Sequence, residues 1–104
     1  MKDFKNKVAV ITGAGNGFGF EIAKECASRE MKLVLADIDE ESLTAAVSYF
    51  KHKGAEVTGV HCDVTLDSEI GKMVDTAMNT YGSIDFLVNN AGVAISGPVW
   101  ELPL

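Results

Sequence analysis

Short apolar runs alternate with helical patterns along this chain, and that alternation limits the fold more than any other feature. The runs predict strands at residues 8–11, 33–36, 57–62 and 84–88. Continuous apolar runs are typical of strands that are buried on both faces. Because one helical segment separates each pair of runs, the strands must be parallel, with right-handed crossovers. The sequence therefore predicts the order β-α-β-α-β-α-β.

Each intervening segment repeats apolar residues at helical spacing, which predicts three amphipathic helices. The expected buried faces are Gly19, Ile22, Ala23, Cys26 and Ala27 in the first helix, Leu43, Ala46, Val47 and Phe50 in the second, and Ile70, Val74, Ala77 and Tyr81 in the third. Met73 and Met78 are interpreted as core or rim filler. Gly54 and Gly82 are expected to end the second and third helices.

We expect a three-layer α/β sandwich of the Rossmann type, with a parallel sheet of order 3-2-1-4 that stops after the fourth strand. In such sheets the winding reverses between strands 1 and 4, and ligands bind there, beyond the carboxyl ends of the strands. Glycines and polar side chains follow all four predicted strands, at residues 12–19, 37, 63 and 89–92. Four separate segments thus converge on one predicted cleft, which is stronger support for a binding site than any single motif.

A glycine-rich turn joins the first strand to its helix. Glycines allow a tight turn and close approach to a ligand, and the following helix offers free N–H groups and a positive dipole end to a phosphate. The spacing G-x-G-x-x-G is not met, because Phe18 occupies the third glycine position; the spacing that fits is Gly13-x-x-x-Gly17-x-Gly19. The alternative is a plain strand-to-helix turn, but the strand-turn-helix context favours phosphate binding.

An acidic residue, Asp37, ends the second strand. A carboxylate there can accept both ribose hydroxyls of an adenosine, and it repels a 2′-phosphate. Neither Asn16 nor Ile38 supplies a cation that could neutralise that phosphate, so the pattern favours NAD over NADP. The alternative role for Asp37 is to cap the next helix, in competition with Asp39.

Composition excludes several other classes of protein. The 104 residues carry a net charge of −6, which disfavours binding to nucleic acid or to anionic lipid. No apolar run is long enough for a signal peptide or a membrane helix, so we expect a cytoplasmic protein with one domain.

Cys62 and His61 are adjacent, and with Cys26 and His52 they give no metal-ligand spacing. Both His61 and Cys62 are expected to be buried or half-buried filler.

Together these segments resemble the N-terminal part of the short-chain dehydrogenase/reductase family. The motifs occur in the family's order and spacing, and they cover nearly the whole chain. They are Thr12-Gly13-Ala14-Gly15-Asn16-Gly17-Phe18-Gly19, Asp37, Asp63-Val64 and Asn89-Asn90-Ala91-Gly92.

The resemblance implies a role for each motif in binding NAD. The turn would hold the pyrophosphate and adjoining ribose through Gly13, Asn16, Gly17, Phe18 and Gly19. Asp37 would hold the adenosine ribose, and Asp63 and Val64 would flank the adenine. The nicotinamide side of the cleft would be lined by Asn90, Ala91 and Gly92.

The family transfers hydride between a nicotinamide and an alcohol or carbonyl carbon, using a Ser, a Tyr and a Lys four residues after the Tyr. In the family those residues follow the part seen here, so residues 1–104 are interpreted as a partial NAD(P)-binding domain without catalytic residues. Tyr49 and Lys53 have the same spacing but lie on the second helix, away from the predicted cleft. Spacing of four stacks two side chains on any helix, and the pair is rejected as catalytic.

Two alternatives to an enzyme part stay open at this point. The chain could be a nucleotide-binding or regulatory module that pairs with a full-length partner along strand 4, or a fragment with no stable fold. Since strand 4 is expected to be an open apolar edge, self-association through residues 84–88 is also predicted.

Overall fold

The computed structural model of this protein describes residues 3–90 and 99–101. The described residues form five strands and three helices. In chain order they are β1 (Val8–Thr12), α1 (Gly17–Ser28), β2 (Lys32–Asp37), α2 (Glu40–His52), β3 (Val57–His61), α3 (Asp67–Tyr81), β4 (Phe86–Asn89) and β5 (Val99–Glu101).

The sheet has the order β3-β2-β1-β4-β5, which confirms the predicted sequence 3-2-1-4 and adds a fifth strand. β1 pairs in parallel with β2 on one side and with β4 on the other. In the register of these strands Thr12 lies beside Ala36 and also beside Asn89, so the carboxyl ends of three strands meet at one edge. The reversal of winding predicted between strands 1 and 4 is therefore present.

The fifth strand corrects the prediction of an open edge at strand 4. β5 pairs antiparallel with β4, so that Val88 faces Trp100 in the register. β4 begins at Phe86, two residues later than predicted. The preceding residue, Asp85, donates its N–H to the Val8 carbonyl at 2.9 Å, and its carboxylate accepts the Val8 N–H at 2.8 Å. With β5 beside it, β4 is therefore not the open edge of the sheet, and the expected pairing or self-association through residues 84–88 stays a prediction.

Apolar side chains fill the space on both faces of the sheet. α1 and α2 cover one face, where Phe50 and Phe86 are almost completely buried. α3 covers the other face through Met73 and Ala77. Burying parallel strands on both faces explains why their sequences are continuous apolar runs rather than alternating ones.

The buried faces of the first two helices agree with the predictions, but that of α3 differs. Gly19 and Ala23 of α1 are buried, as are Leu43, Ala46 and Phe50 of α2. In α3, Ile70 and Val74 are each 36% exposed, whereas Met73 is only 3% exposed. The helix is thus rotated relative to the predicted face, and it shares with that face Ala77, which is buried, and Tyr81, which is half-buried against the same core.

Candidate functional site

The carboxyl ends of β1, β2 and β4 bring the predicted site residues to one edge of the sheet. The loop after β1 contacts β2 through Gly15 and contacts the segment after β4 through Gly13. Segments more than 70 residues apart along the chain therefore meet at this edge, as the sequence predicts.

The glycine loop delivers the start of α1 to this edge. Gly17, the first residue of the helix, has a φ of 61°, a conformation that side chains other than glycine rarely adopt. The preceding residue, Asn16, has an extended backbone and makes no side-chain capping bond among the described residues. The first turn carries no acidic side chain. Its N–H groups and the positive end of the helix dipole are therefore free of a competing side-chain anion.

The carboxylate of Asp37 is held by two backbone groups. Gly15 N–H donates to Oδ2 at 2.7 Å, and Asp39 N–H donates to Oδ1 at 2.9 Å. The α2 cap is Asp39, whose side chain accepts from the N–H groups of Glu41 and Ser42. Asp37 is thus not the helix cap, and it faces the glycine loop instead. A carboxylate has about four lone-pair positions, so Asp37 can still accept further bonds.

Hydrogen bonds from Thr12 tie the first strand to the paired asparagines. The Thr12 hydroxyl donates to the side-chain oxygen of Asn89 at 3.0 Å and accepts from the Asn90 N–H at 2.8 Å. The side-chain amide of Asn90 donates through its Nδ2 to the Gly13 carbonyl at 3.5 Å. Asn90 therefore lies at the predicted cleft, while Ala91 and Gly92 lie outside the described residues.

The third segment, after β3, places Asp63 near the end of β2. The Asp63 carboxylate accepts bonds from the backbone and hydroxyl groups of Thr65, at 3.0 and 2.6 Å. These two bonds hold the pKa of Asp63 below its ordinary value, and the nearby His61 adds to the effect. Val64 is half-buried and packs on the α3 side of the core.

His61 itself corrects an expectation. Its neighbour Cys62 is buried as predicted, but the His61 side chain is exposed, and its Nε2 lies 2.8 Å from the carbonyl oxygen of Ile38. Sequence reasoning missed this contact, and also the bond from Gly15 to Asp37. Both depend on strand register, for which a single His or Gly gives no signal.

Two large apolar side chains are exposed at this edge. Phe18 is 60% exposed at the start of α1, and Ile38 is 58% exposed next to Asp37. Apolar side chains left open beside hydrogen-bonding groups are typical of small-molecule sites. The edge therefore combines free N–H donors, carboxylate acceptors and open apolar surface.

The rejected pair lies at the opposite edge of the sheet. Tyr49 and Lys53 line a groove of about 560 Å³ together with Met31 and Gly54, which adjoin the amino ends of β2 and β3. The Lys53 ammonium lies 5.5 Å from the centre of the Tyr49 ring. Asp37 precedes the start of α2, whereas Tyr49 and Lys53 lie at its C-terminal end, so the length of the helix separates the pair from the candidate site.

In the part of the chain that the structure describes, no helix has the length and apolar character needed to cross a membrane. The same residues contain no cluster of three or more His, Cys, Asp or Glu side chains suited to a metal ion.

Known proteins resemble this chain in both sequence and fold. The family model described as short chain dehydrogenase matches residues 7–104. A dehydrogenase/reductase of CLA biosynthesis from Lactiplantibacillus plantarum is 50% identical over 103 residues. That match covers 99% of this chain and 36% of the relative, so the chain spans about a third of the relative's length.

Solved structures share both the fold and substantial identity. A short chain dehydrogenase/reductase from Burkholderia phymatum, in complex with NAD, matches with a TM-score of 0.82 and 46% identity, over 84% of this chain and 31% of the other. An L-sorbose reductase from Gluconobacter frateurii, complexed with NADPH and L-sorbose, matches with a TM-score of 0.82 and 35% identity, over 86% and 35%.

Proposed function

This chain belongs to the short-chain dehydrogenase family, and from that premise we propose that it is the nucleotide-binding part of an NAD-dependent oxidoreductase. The observation that carries the proposal is the bond between Gly15 and Asp37, which joins the glycine loop to an acidic residue at the switch-point edge. The reaction proposed for the whole protein is hydride transfer between a nicotinamide and an alcohol or carbonyl carbon.

The start of α1 fits a diphosphate. Its N–H groups meet no side-chain cap from Asn16, and no acidic residue of the first turn opposes a bound anion. We assign the diphosphate and adjoining ribose to the loop residues Gly13, Asn16, Gly17, Phe18 and Gly19.

The adenosine is assigned to the ends of β2 and β3. Asp37 would accept its ribose hydroxyls, and Asp63 and Val64 would flank its adenine. The exposed face of Ile38 is available to cover the base, because it lies next to Asp37 and has no apolar neighbour that buries it.

We further propose NAD rather than NADP as the cofactor. Asp37 and Asp63 both place negative charge at this end of the cleft, and no Arg or Lys occupies positions 16 and 38. A 2′-phosphate would have to approach the Asp37 carboxylate without a compensating cation, which is unfavourable.

The chemical step is assigned to groups outside this chain. A bound nicotinamide dinucleotide would supply the hydride or accept it. The described residues of this chain position that cofactor, with Asn90, and by proposal Ala91 and Gly92, on its nicotinamide side. Tyr49 and Lys53 are excluded by their place at the opposite edge of the sheet.

Titration with NADH and NADPH, followed by the fluorescence of the reduced nicotinamide, tests the proposal. We expect the protein to bind NADH more tightly than NADPH. Because hydrogen bonds to a charged group contribute about 1.5–3 kcal/mol, Asp37→Ala is expected to weaken NADH binding roughly tenfold or more. The same variant should bind NADPH no less well, since the repulsion has been removed.

A matched control is Asp75→Ala, which removes an exposed carboxylate from the middle of α3, away from the cleft. It keeps the net charge equal to that of Asp37→Ala and should bind NADH as the unchanged protein does. Absence of NADH binding by the unchanged protein would refute nucleotide binding. Equal affinities in Asp37→Ala and Asp75→Ala would refute the role of Asp37.

A further inference from the structure

The exposed side chain of His61 forms a hydrogen bond with a backbone carbonyl just beyond the last paired residues of β2 and β3. Its Nε2 lies 2.8 Å from the carbonyl oxygen of Ile38. Because a carbonyl oxygen only accepts hydrogen bonds, Nε2 must carry the proton in this contact. The bond therefore exists with either the neutral Nε2–H tautomer or the charged ring.

This bond lies at the point where the parallel ladder between β2 and β3 ends. Asp37 and His61 are the last paired residues, and the last backbone bond runs from the Cys62 N–H to the Asp37 carbonyl at 3.0 Å. Ile38 is the next residue along the chain, and its carbonyl oxygen receives the imidazole instead. His61 thus extends the attachment of β3 to the β2–α2 loop by one residue.

The residue held in this way, Ile38, lies between Asp37 and Asp39, whose N–H is one of the two groups that orient the Asp37 carboxylate. Asp37 receives the Asp39 N–H on one carboxylate oxygen and the Gly15 N–H on the other. The Ile38 carbonyl and the Asp39 N–H belong to the same planar peptide group, so a shift of that carbonyl would also move the Asp39 N–H. The His61 bond therefore restrains the loop on which the orientation of the Asp37 carboxylate depends.

His61 also lies near the second carboxylate of this end of the cleft. Its charge helps to lower the pKa of Asp63, although the Thr65 hydrogen bonds contribute more. The imidazole therefore contacts the residue that follows β2 and acts electrostatically on the second residue after β3.

We propose that His61 is a positioning residue for the adenosine half of the bound dinucleotide, acting by holding the Ile38 peptide so that Asp37 faces the ribose. The proposal rests on the proposed function above. His61 touches neither the diphosphate loop nor the nicotinamide side in the described structure, so its effect should be confined to ligands that contain adenosine.

The test compares the affinities of three ligands in variants of the protein, measured by calorimetric titration. One hydrogen bond contributes about 0.5–1.5 kcal/mol, so His61→Ala is expected to weaken binding of NADH and ADP roughly three- to tenfold. Binding of reduced nicotinamide mononucleotide, which lacks adenosine, should not change. His61→Gln keeps an N–H donor and should recover most of the lost affinity. The control His52→Ala removes an exposed His at the end of α2 and should match the unchanged protein.

A second measurement requires no ligand. Hydrogen exchange of the Asp39 amide, which donates to Asp37, should be faster in His61→Ala and close to normal in His61→Gln. Unchanged exchange together with unchanged NADH affinity would overturn the proposal, as would an equal loss of ADP and mononucleotide binding. If the unchanged protein binds neither NADH nor ADP, the proposed function fails and this inference fails with it. Binding by the unchanged protein with no difference in His61→Ala refutes the role of His61 alone.

Discussion

Gly19 in the first turn of α1 lies directly against the backbone of Gly13. A Cβ added to Gly19 would be 2.2 Å from the Gly13 carbonyl oxygen and 2.8 Å from its carbonyl carbon. Real side chains do not approach backbone atoms so closely, so the loop can fold back on its helix only when position 19 has no side chain. This contact fixes where the N–H groups of α1 point.

Gly19→Ala is therefore expected to disrupt both the fold of the loop and nucleotide binding. The backbone of Gly13 must shift to admit the methyl group, at a cost of about 1–3 kcal/mol or more for overpacking. Urea unfolding, with NADH titration of the folded fraction, measures both effects.

Gly71→Ala is the matched control, because Gly71 lies inside α3 with open space around it. There the better helix propensity of alanine should stabilise the protein by roughly 0.5–1 kcal/mol. Equal stability of the two variants would contradict the packing argument.

Two methionines of α3 provide a test of which face the helix buries. Met73 is 3% exposed and Met78 is 47% exposed, although both lie on the same helix. Met73→Ala is expected to lower the free energy of unfolding by about 2–5 kcal/mol, as for other truncations in a core. Met78→Ala should change it by less than about 0.5 kcal/mol. The comparison is made by denaturant unfolding, and the reverse order would restore the face predicted from Ile70 and Val74.

The sequence was sufficient for the layout of the sheet and for the convergence of the loops. Strands such as β1 are apolar on both faces, which distinguishes them from the amphipathic helices between them. Once the strands are parallel and the order is 3-2-1-4, Asp37 and Asn90 must follow strands that flank β1. Their meeting at one edge then follows from topology, without knowledge of any side-chain contact.

The buried face of α3, the strand β5 and the contact of His61 depend on residues that are distant in the sequence, so local sequence patterns do not predict them. α3 carries apolar residues on two adjacent stripes, and the tertiary position of the helix selects Met73 over Ile70 and Val74. β5 has only three residues, too few for a period to be recognised. The contact of His61 with Ile38 requires the exact alignment of β3 with β2, which spacing along the chain does not contain.

Both cysteines are expected to be poor nucleophiles. Burial raises the pKa of Cys26 to about 11, with a further contribution from Glu25, and burial also raises the pKa of Cys62. The thiolate is the reactive form, and at pH 8 the thiolate fraction of Cys26 is roughly two-hundredfold lower than that of free cysteine, whose pKa is about 8.5.

Alkylation of Cys62→Ser with iodoacetamide at pH 8 isolates the reaction of Cys26. The rate should be far below that of the same variant unfolded in urea, and it should rise steadily up to pH 10. Equal rates in the folded and unfolded states would show that Cys26 is neither buried nor perturbed.

The α2 cap should make stability depend on pH in a defined direction. Hydrogen bonds from the backbone and hydroxyl of Ser42, and from the Glu41 N–H, hold the pKa of Asp39 below its ordinary value. Since the folded state has the lower pKa, the ionised cap stabilises the fold above the unfolded pKa of about 3.9, and this stabilisation is lost as the pH falls through the folded pKa. Asp39→Asn keeps one oxygen that can accept the N–H groups of Glu41 and Ser42, loses the oxygen that accepts the Ser42 hydroxyl, and cannot ionise. Its stability should therefore fall less than that of the unchanged protein between pH 6 and pH 3. The urea midpoint, measured for both proteins across this range, reports the difference, and the other carboxylates cancel because the two proteins share them. Parallel curves would mean that the charge of Asp39 contributes nothing to the cap, and that its bonds to Glu41 and Ser42 act as neutral hydrogen bonds alone.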